Sequence, residues 1–133
     1  MNDNPEGTEL QQLVGKLKQL EQLGGQADLL ALDLVVSERI RQFEVEGWTP
    51  AHDDENRTEG QLSAAGACYA LHASRMALVH ARTGSLEEKH SAVHPVWPFP
   101  PLTWKPASMR RTQVKGTALN LAELARQIRA GIP

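Results

Sequence analysis

Residues 46–62 read EGWTPAHDDENRTEGQL. Gly47 stops a helix, because glycine enters the left-handed conformation at a helix end without a Cβ penalty. Thr58-Glu59-Gly60-Gln61 has the form of a capping box, which predicts that another helix starts after Thr58 with Gln61 reaching back. Between these signals sit a tryptophan, a histidine and two aspartates. Their concentration predicts an ordered connection between two helices, with Trp48 buried. It serves either as a tie or as one wall of a site.

Working outward, helical periodicity continues on both sides. Upstream, residues 26–45 predict a helix whose inner face carries Leu29, Val36, Ile40 and Phe43, broadened by Leu30, Leu32, Leu34 and Val35. Before it, Leu10, Leu13, Leu17 and Leu20 recur at spacings of three, four and three, which is close to a coiled-coil seam. That helix is expected over about 9–23, opened by a capping box at Thr8 and Gln11 and closed by Gly24-Gly25. Downstream, Leu62, Ala65, Tyr69, Ala73 and Met76 trace the buried face of a helix ending near Arg82. Ala64, Ala65, Gly66, Ala67 and Ala70 make it small enough for another backbone to approach.

Residues 83–107 hold Pro95, Pro98, Pro100, Pro101 and Pro106, which regular structure cannot run through. Val96, Trp97, Phe99, Leu102 and Trp104 make the stretch too apolar for a free linker, so it reads as a fixed loop packed on helices. A last helix is expected over about 108–129 with Val114, Ala118, Leu121, Leu124 or Ala125, and Ile128 inward. No segment alternates convincingly as a strand. The expected fold is all-α: a small domain of about four helices with a long ordered proline/tryptophan-rich loop. Residues 1–25 form an amphipathic helix and possible oligomerisation element, and residues 26–133 a helical ligand-binding domain.

The 133 residues suit one domain, with 41% hydrophobic residues and a net charge of −2. That charge disfavours sequence-independent nucleic-acid binding. One cysteine, Cys68, excludes a disulfide framework and a four-cysteine zinc site within one chain. The polar, acidic start predicts no secretory leader, and no apolar run reaches membrane-spanning length. A soluble, cytoplasmic protein is expected. Six acids and one base lie between Glu44 and Glu59, and six bases and one acid between Lys105 and Arg129. The two segments either pair or the basic one meets an anion.

Three chemistries compete for these residues. His52, Asp53 and Asp54, with Glu44 or Glu46, offer oxygen and nitrogen ligands to a hard cation. Glu44 and Glu46 do not share a helical face, however, and adjacent aspartates rarely converge. Cys68 and His72 are one turn apart but have no visible oxyanion site, and His80, His90 and His94 show no zinc spacing. Aromatic and cationic recognition fits better. Trp48, Trp97 and Trp104 offer flat faces, of which Trp48 and Trp104 would stack or wall a base, while Arg39, Arg41, Lys105, Arg110 and Arg111 offer charge to phosphate. Arg110 and Arg111 begin a helix, where first-turn N–H groups also attract anions. His52 and Asp53 would position ribose or base edges. No metal and no cofactor are expected.

The blocks ERIRQFEVEGWTPAHDD (38–54), EGQLSAAGACYA (59–70), VWPFP (96–100), WKP (104–106) and RRTQVKGTALNLAELAR (110–126) resemble a widespread family of small uncharacterised phage and prophage proteins. Its pattern is E-x-x-R-Q-x-x-x-E-G-W-T-x-x-H-D-D, a Trp-Pro and Trp-Lys-Pro loop, and an Arg-Arg helix ending in Ala-Glu. A shorter likeness, to the RyR domain, lies in Arg39-Ile40 ahead of Gly47-Trp48, the acids, His94-Pro95, the proline-rich loop and the final helix. Residues 1–25 lie outside the shared blocks, residues 72–92 look expanded, and Thr117 and Asn120 stand at usually apolar positions. The resemblance implies an anti-defence protein that sequesters a nucleotide-derived immune signal, of cyclic nucleotide or cyclic ADP-ribose type. Sequestration needs no turnover, which suits a chain without a credible catalytic constellation, and the Leu10, Leu13, Leu17 and Leu20 stripe with the small-residue face 64–67 predicts a homo-oligomer, most simply a dimer. The alternatives are a small metal-dependent nucleotide hydrolase using Glu46, His52, Asp53 and Asp54, and an interaction protein that inhibits a host factor.

Overall fold

The computed structural model describes residues 5–87 and 93–133, so His90 lies outside the described residues. The fold is all-α. Five helices run in the order α1 (Pro5–Gln22), α2 (Gln26–Glu44), α3 (Pro50–Asn56), α4 (Gln61–Thr83) and α5 (Met109–Arg129), with a 3-10 turn at Pro101–Thr103 and no strand among the described residues. The chain divides into two compact units, Met1–Leu34 and Val35–Pro133, with the boundary inside α2 and not at the double glycine. No helix among the described residues is long and apolar enough to cross a membrane.

The first unit holds α1 and the first half of α2, which do not pack side by side. α1 starts at Pro5, earlier than the Thr8 capping box implied, because proline at a first helical position loses no needed hydrogen bond. Leu10 and Leu13 are exposed, and Leu17 and Leu20 are half-buried.

The second unit is built on the crossing of α4 and α5. The small-residue stretch of α4 does what its composition predicts. A Cβ on Gly66 would lie 2.9 Å from the Gly116 carbonyl oxygen, and one on Gly116 would lie 2.9 Å from the Gly66 oxygen. Leu62, Ala65, Tyr69, Ala73 and Met76 are all buried, as the periodicity of α4 predicts. Tyr69, Leu62 and Ala65 join Leu119 and Ala122 of α5 in one cluster, and Trp48, Trp97, Phe99 and Trp104 pack on it. The described part of the loop ahead of α5 is therefore held by Trp97, Phe99 and Trp104. Its end is tied to α5 by Thr112, whose hydroxyl accepts from the Ala107 N–H at 2.9 Å and donates to the Ala107 carbonyl at 3.1 Å.

α2 presents another face than the apolar pattern predicts, and α5 does so in its second half. On α5, Val114 and Ala118 are buried as expected, but Leu121, Leu124 and Ile128 are exposed, whereas Thr112, Leu119, Ala122, Glu123 and Arg126 are buried. Gly116 has to face α4, so positions three, seven and ten residues onward turn inward with it. Glu123 and Arg126 satisfy each other there at 2.8 Å. On α2, Val36, Ile40 and Phe43 are exposed, while Glu38 and Gln42 are buried. Glu38 and Gln42 share a face at i, i+4, and long polar side chains bridge a gap that the backbones do not close.

The connection 46–58 is ordered but is not a simple link. Thr49 caps α3, accepting the His52 N–H at 3.3 Å, and Pro50 follows at the first position. Gly47 has φ +72, and the Trp48 N–H returns to the Gln42 carbonyl at 2.9 Å, which ends α2 as expected. α4 starts at Gln61, whose side chain accepts from the Glu59 N–H at 2.8 Å; its reach back falls one residue short of Thr58.

The close crossing predicts a clear pair of outcomes. Gly66→Ala or Gly116→Ala forces backbone apart and should destabilise by roughly 1–3 kcal/mol. Gly15→Ala, in α1 with nothing within 4 Å of the added methyl, should not lower stability. Chemical denaturation of the three variants checks this; an unchanged midpoint for both crossing variants would show that the two helices are not held this close.

Candidate functional site

Within the second unit lies a cavity of about 400 Å³, which falls in the size range of small-molecule sites. Leu62, Ala65 and Tyr69 of α4 and Leu119 of α5 contribute its apolar part. Trp48 enters from the connection after α2, and Trp97, Phe99 and Leu102 enter from the loop. The polar part is strongly biased in sign. Arg41, Arg57, Lys105 and Lys115 line it against only two carboxylates, Glu38 and Glu46, together with the amide of Gln42.

Those carboxylates are already engaged. The Glu38 side chain is fully buried. It accepts from Arg41 Nε at 2.8 and 3.1 Å and from Arg41 Nη2 at 2.8 Å, and it is also paired with Arg111. Burial alone would raise its pKa. The two guanidinium groups outweigh that penalty and hold the carboxyl below its usual value. Arg41 also donates to Glu46 at 2.9 Å. Arg57, Lys105 and Lys115 have no carboxylate partner among the described residues. Arg57 lies over the Phe99 ring at 4.7 Å. Lys115 Nζ donates to the Lys105 carbonyl at 2.8 Å, and the Lys105 N–H donates to the Tyr69 hydroxyl at 3.4 Å. Burial, with Arg111 nearby, pushes the Lys115 ammonium below the usual lysine range.

The residues singled out from sequence divide into three groups. Trp48 and Lys105 line the cavity. Trp104 sits behind its lining, stacked on Tyr69 at 4.8 Å and edge-on to Trp97 at 4.9 Å and His72 at 5.7 Å, with its indole N–H buried and unpartnered among the described residues. Arg39, His52 and Asp53 form a cluster beside the cavity. Asp53, fully buried, takes Arg39 at 3.2 Å and His52 at 3.3 Å. Arg39 also donates to Gln42 at 3.0 Å and to the Trp48 carbonyl at 3.4 Å. Arg110 and Arg111 are not gathered on one anion. Arg111 is committed to Glu38, its backbone N–H to Ser108, and Arg110 is exposed.

The acidic and basic segments meet through Asp54 and Arg129, in a fork with distances of 2.9–3.1 Å. Asp53 and Asp54 are thus held by separate arginines. No group of three or more His, Cys, Asp or Glu placed to hold a metal occurs among the described residues. Cys68 is buried, and burial raises its thiol pKa, away from the thiolate. His72 is buried as well.

Sequence reasoning passed over Gln42, Tyr69, Lys115 and Glu38 as site residues. The available signal was the polar pair Glu38 and Gln42 at i, i+4 on a helix rich in leucine. Searches with the chain match no family model, no curated protein and no solved structure.

The Glu38 knot should show in acid. Glu38 and Glu123 both titrate below their ordinary 4.5 in the folded state. Their stabilisation is complete above the unfolded value and is lost as pH falls through the folded values. Stability measured by denaturation should therefore drop as pH goes below about 4.5. Glu38→Gln should shrink that drop. Glu38→Ala should cost roughly 2–3 kcal/mol at neutral pH, less than the 3–5 of a fully buried pair, because Arg41 and Arg111 can rehydrate.

Proposed function

We propose that this chain is a non-catalytic binding domain whose cavity takes up a flat, phosphate-bearing small molecule of nucleotide type. One observation carries the reading: aromatic side chains and three cations lacking carboxylate partners among the described residues line the same cavity. Rings accept a base by stacking, which is worth about 1–3 kcal/mol per base. Lysine and arginine in a partly desolvated cavity accept phosphate more strongly than in water. Lys115 gains most, since a bound anion offsets both its burial and its cationic neighbours.

Capture without turnover agrees with the buried Cys68 thiol and with Asp53 and Asp54 being held by different arginines. The wider role draws on the resemblance to phage and prophage proteins. Seven positions of its motifs, Glu38, Arg41, Gln42, Glu46 and Trp48 of the first block and Trp97 and Lys105 of the loop, line the cavity. The proposed role is sequestration of a nucleotide-derived immune signal in the cytoplasm of a bacterial host. Self-association through the exposed leucines of α1 belongs to the same proposal; light scattering should give a multiple of the 14.6 kDa chain mass.

The binding reading is tested by incubating the protein with cyclic dinucleotides, cyclic ADP-ribose isomers and common nucleotides, then recovering it, heating it and analysing what is released. Intact ligand supports capture, altered ligand supports an enzyme, and no ligand rejects the cavity as a nucleotide site. For any nucleotide retained, Lys115→Ala should weaken binding by roughly 1.5–3 kcal/mol, or ten- to hundred-fold. Added salt should also weaken it. Arg110→Ala, outside the cavity, should leave affinity unchanged. Binding above neutral pH should take up a proton, because an anion raises the pKa of Lys115; calorimetry in buffers of different ionisation enthalpy measures that uptake.

A further inference from the structure

The donor side of the cavity contains one group whose orientation is built in. Gln42 is only 2% exposed. Its side-chain oxygen accepts from Arg39 Nη1 at 3.0 Å. A guanidinium has donors only, so this contact decides which way the amide faces. Arg39 is itself held by the fully buried Asp53 at 3.2 Å, and its guanidinium lies 4.4 Å from the centre of the Phe43 ring. The Gln42 NH₂ group has no partner among the described residues, and the residue lines the cavity beside Trp48. Trp104 Nε1 is the buried side-chain polar atom left unpartnered among the described residues, so the Gln42 nitrogen is open rather than sealed off, and its two hydrogens are available to an acceptor at the cavity surface.

Acceptors beside it are few: Glu46, the other carboxylate of the lining, is solvent-exposed and gives one oxygen to Arg41. Both Glu38 oxygens are taken by Arg41 and Arg111. The Tyr69 hydroxyl, which accepts from the Lys105 N–H, has its own hydrogen left to give. An exocyclic amine on a ligand would meet donors here, whereas a ring carbonyl would be satisfied.

Resting on the nucleotide-binding reading, we propose that Gln42 is the specificity-determining residue of this cavity. It selects a heterocycle that presents a ring carbonyl over the same ring bearing an amino group. Asp53 and Arg39 act on the ligand only through Gln42, as positioning residues. Trp48, next to it, supplies the stacking plane.

Two matched pairs test this by calorimetry at one salt concentration: inosine against adenosine monophosphate, and uridine against cytidine monophosphate. The phosphate is common to each pair, so the ratio within a pair reads the base edge alone. The oxo member should bind at least about ten-fold tighter, the equivalent of 1.4 kcal/mol. Gln42→Glu keeps the shape and the contact to Arg39 but turns the donor into an acceptor. It should erase or invert both ratios even if overall affinity falls. Equal binding of oxo and amino members, or ratios that survive the substitution, would overturn the role of Gln42 while leaving the cavity a nucleotide site. If none of the four nucleotides binds, the cavity reading falls and this inference with it. The wild-type ratios need no variant, so equal binding overturns the proposal even if Gln42→Glu does not fold; Gln42→Met, which keeps the length and removes the donor, should then erase both ratios.

Discussion

A carboxylate enclosed between two guanidinium groups ties the second half of α2 to α5. Glu38 is out of water, and its charge is tolerated only because Arg41 grips both oxygens and Arg111 reaches in from α5. The polar face of α2 must therefore turn inward, and Gln42, one turn on, turns with it. The exposure of Val36, Ile40 and Phe43 follows from the same rotation. Arg41 is then stationed at the cavity. Arg111 is removed from the surface role that its place at a helix start had implied.

The second constraint is the close approach of α4 and α5 at Gly66 and Gly116. It fixes which side of α5 faces the core and brings Leu119 and Ala122 against Leu62, Ala65 and Tyr69. Tyr69 then becomes the surface on which the loop sets. Trp104 stacks on its ring, and Trp97 meets it edge-on at 5.3 Å. Such aromatic pairs add to the area they bury. Five prolines reduce the freedom that the loop loses on ordering, and its tryptophans find a preformed site. Cavity and core thus share a boundary: Tyr69 belongs to both, with Trp104 behind it and the cavity in front.

Much of this was legible in the residue order. The inward face of α4, its small-residue stretch, the stop at Gly47, the end at Gly84 and an aromatic loop packed on helices all follow from periodicity, capping and proline content. α3 was legible in principle, since Thr49-Pro50 is an N-cap followed by a first-turn proline, but seven residues carry no apolar period to flag it. Trp48 and Lys105 could be singled out by residue type, and the structure brings both to the cavity. Tyr69 read as core, which it is, and its second role was invisible from that.

What the sequence determined alone is local: where helices begin and end, which one is small enough to be crossed closely, and that the loop is not free. What only the tertiary structure decided is which partner each charge takes. Arg39, Arg41 and Arg111 are equivalent in sequence as cations near aromatic residues. In the fold the first orients an amide, the second joins the cavity and the third neutralises a buried acid. Pairing depends on distances between residues as far apart as 38 and 111, or 54 and 129, and hydrophobic periodicity contains nothing about them. It also misleads wherever a buried ion pair outweighs an apolar face, which is what turned α2 around.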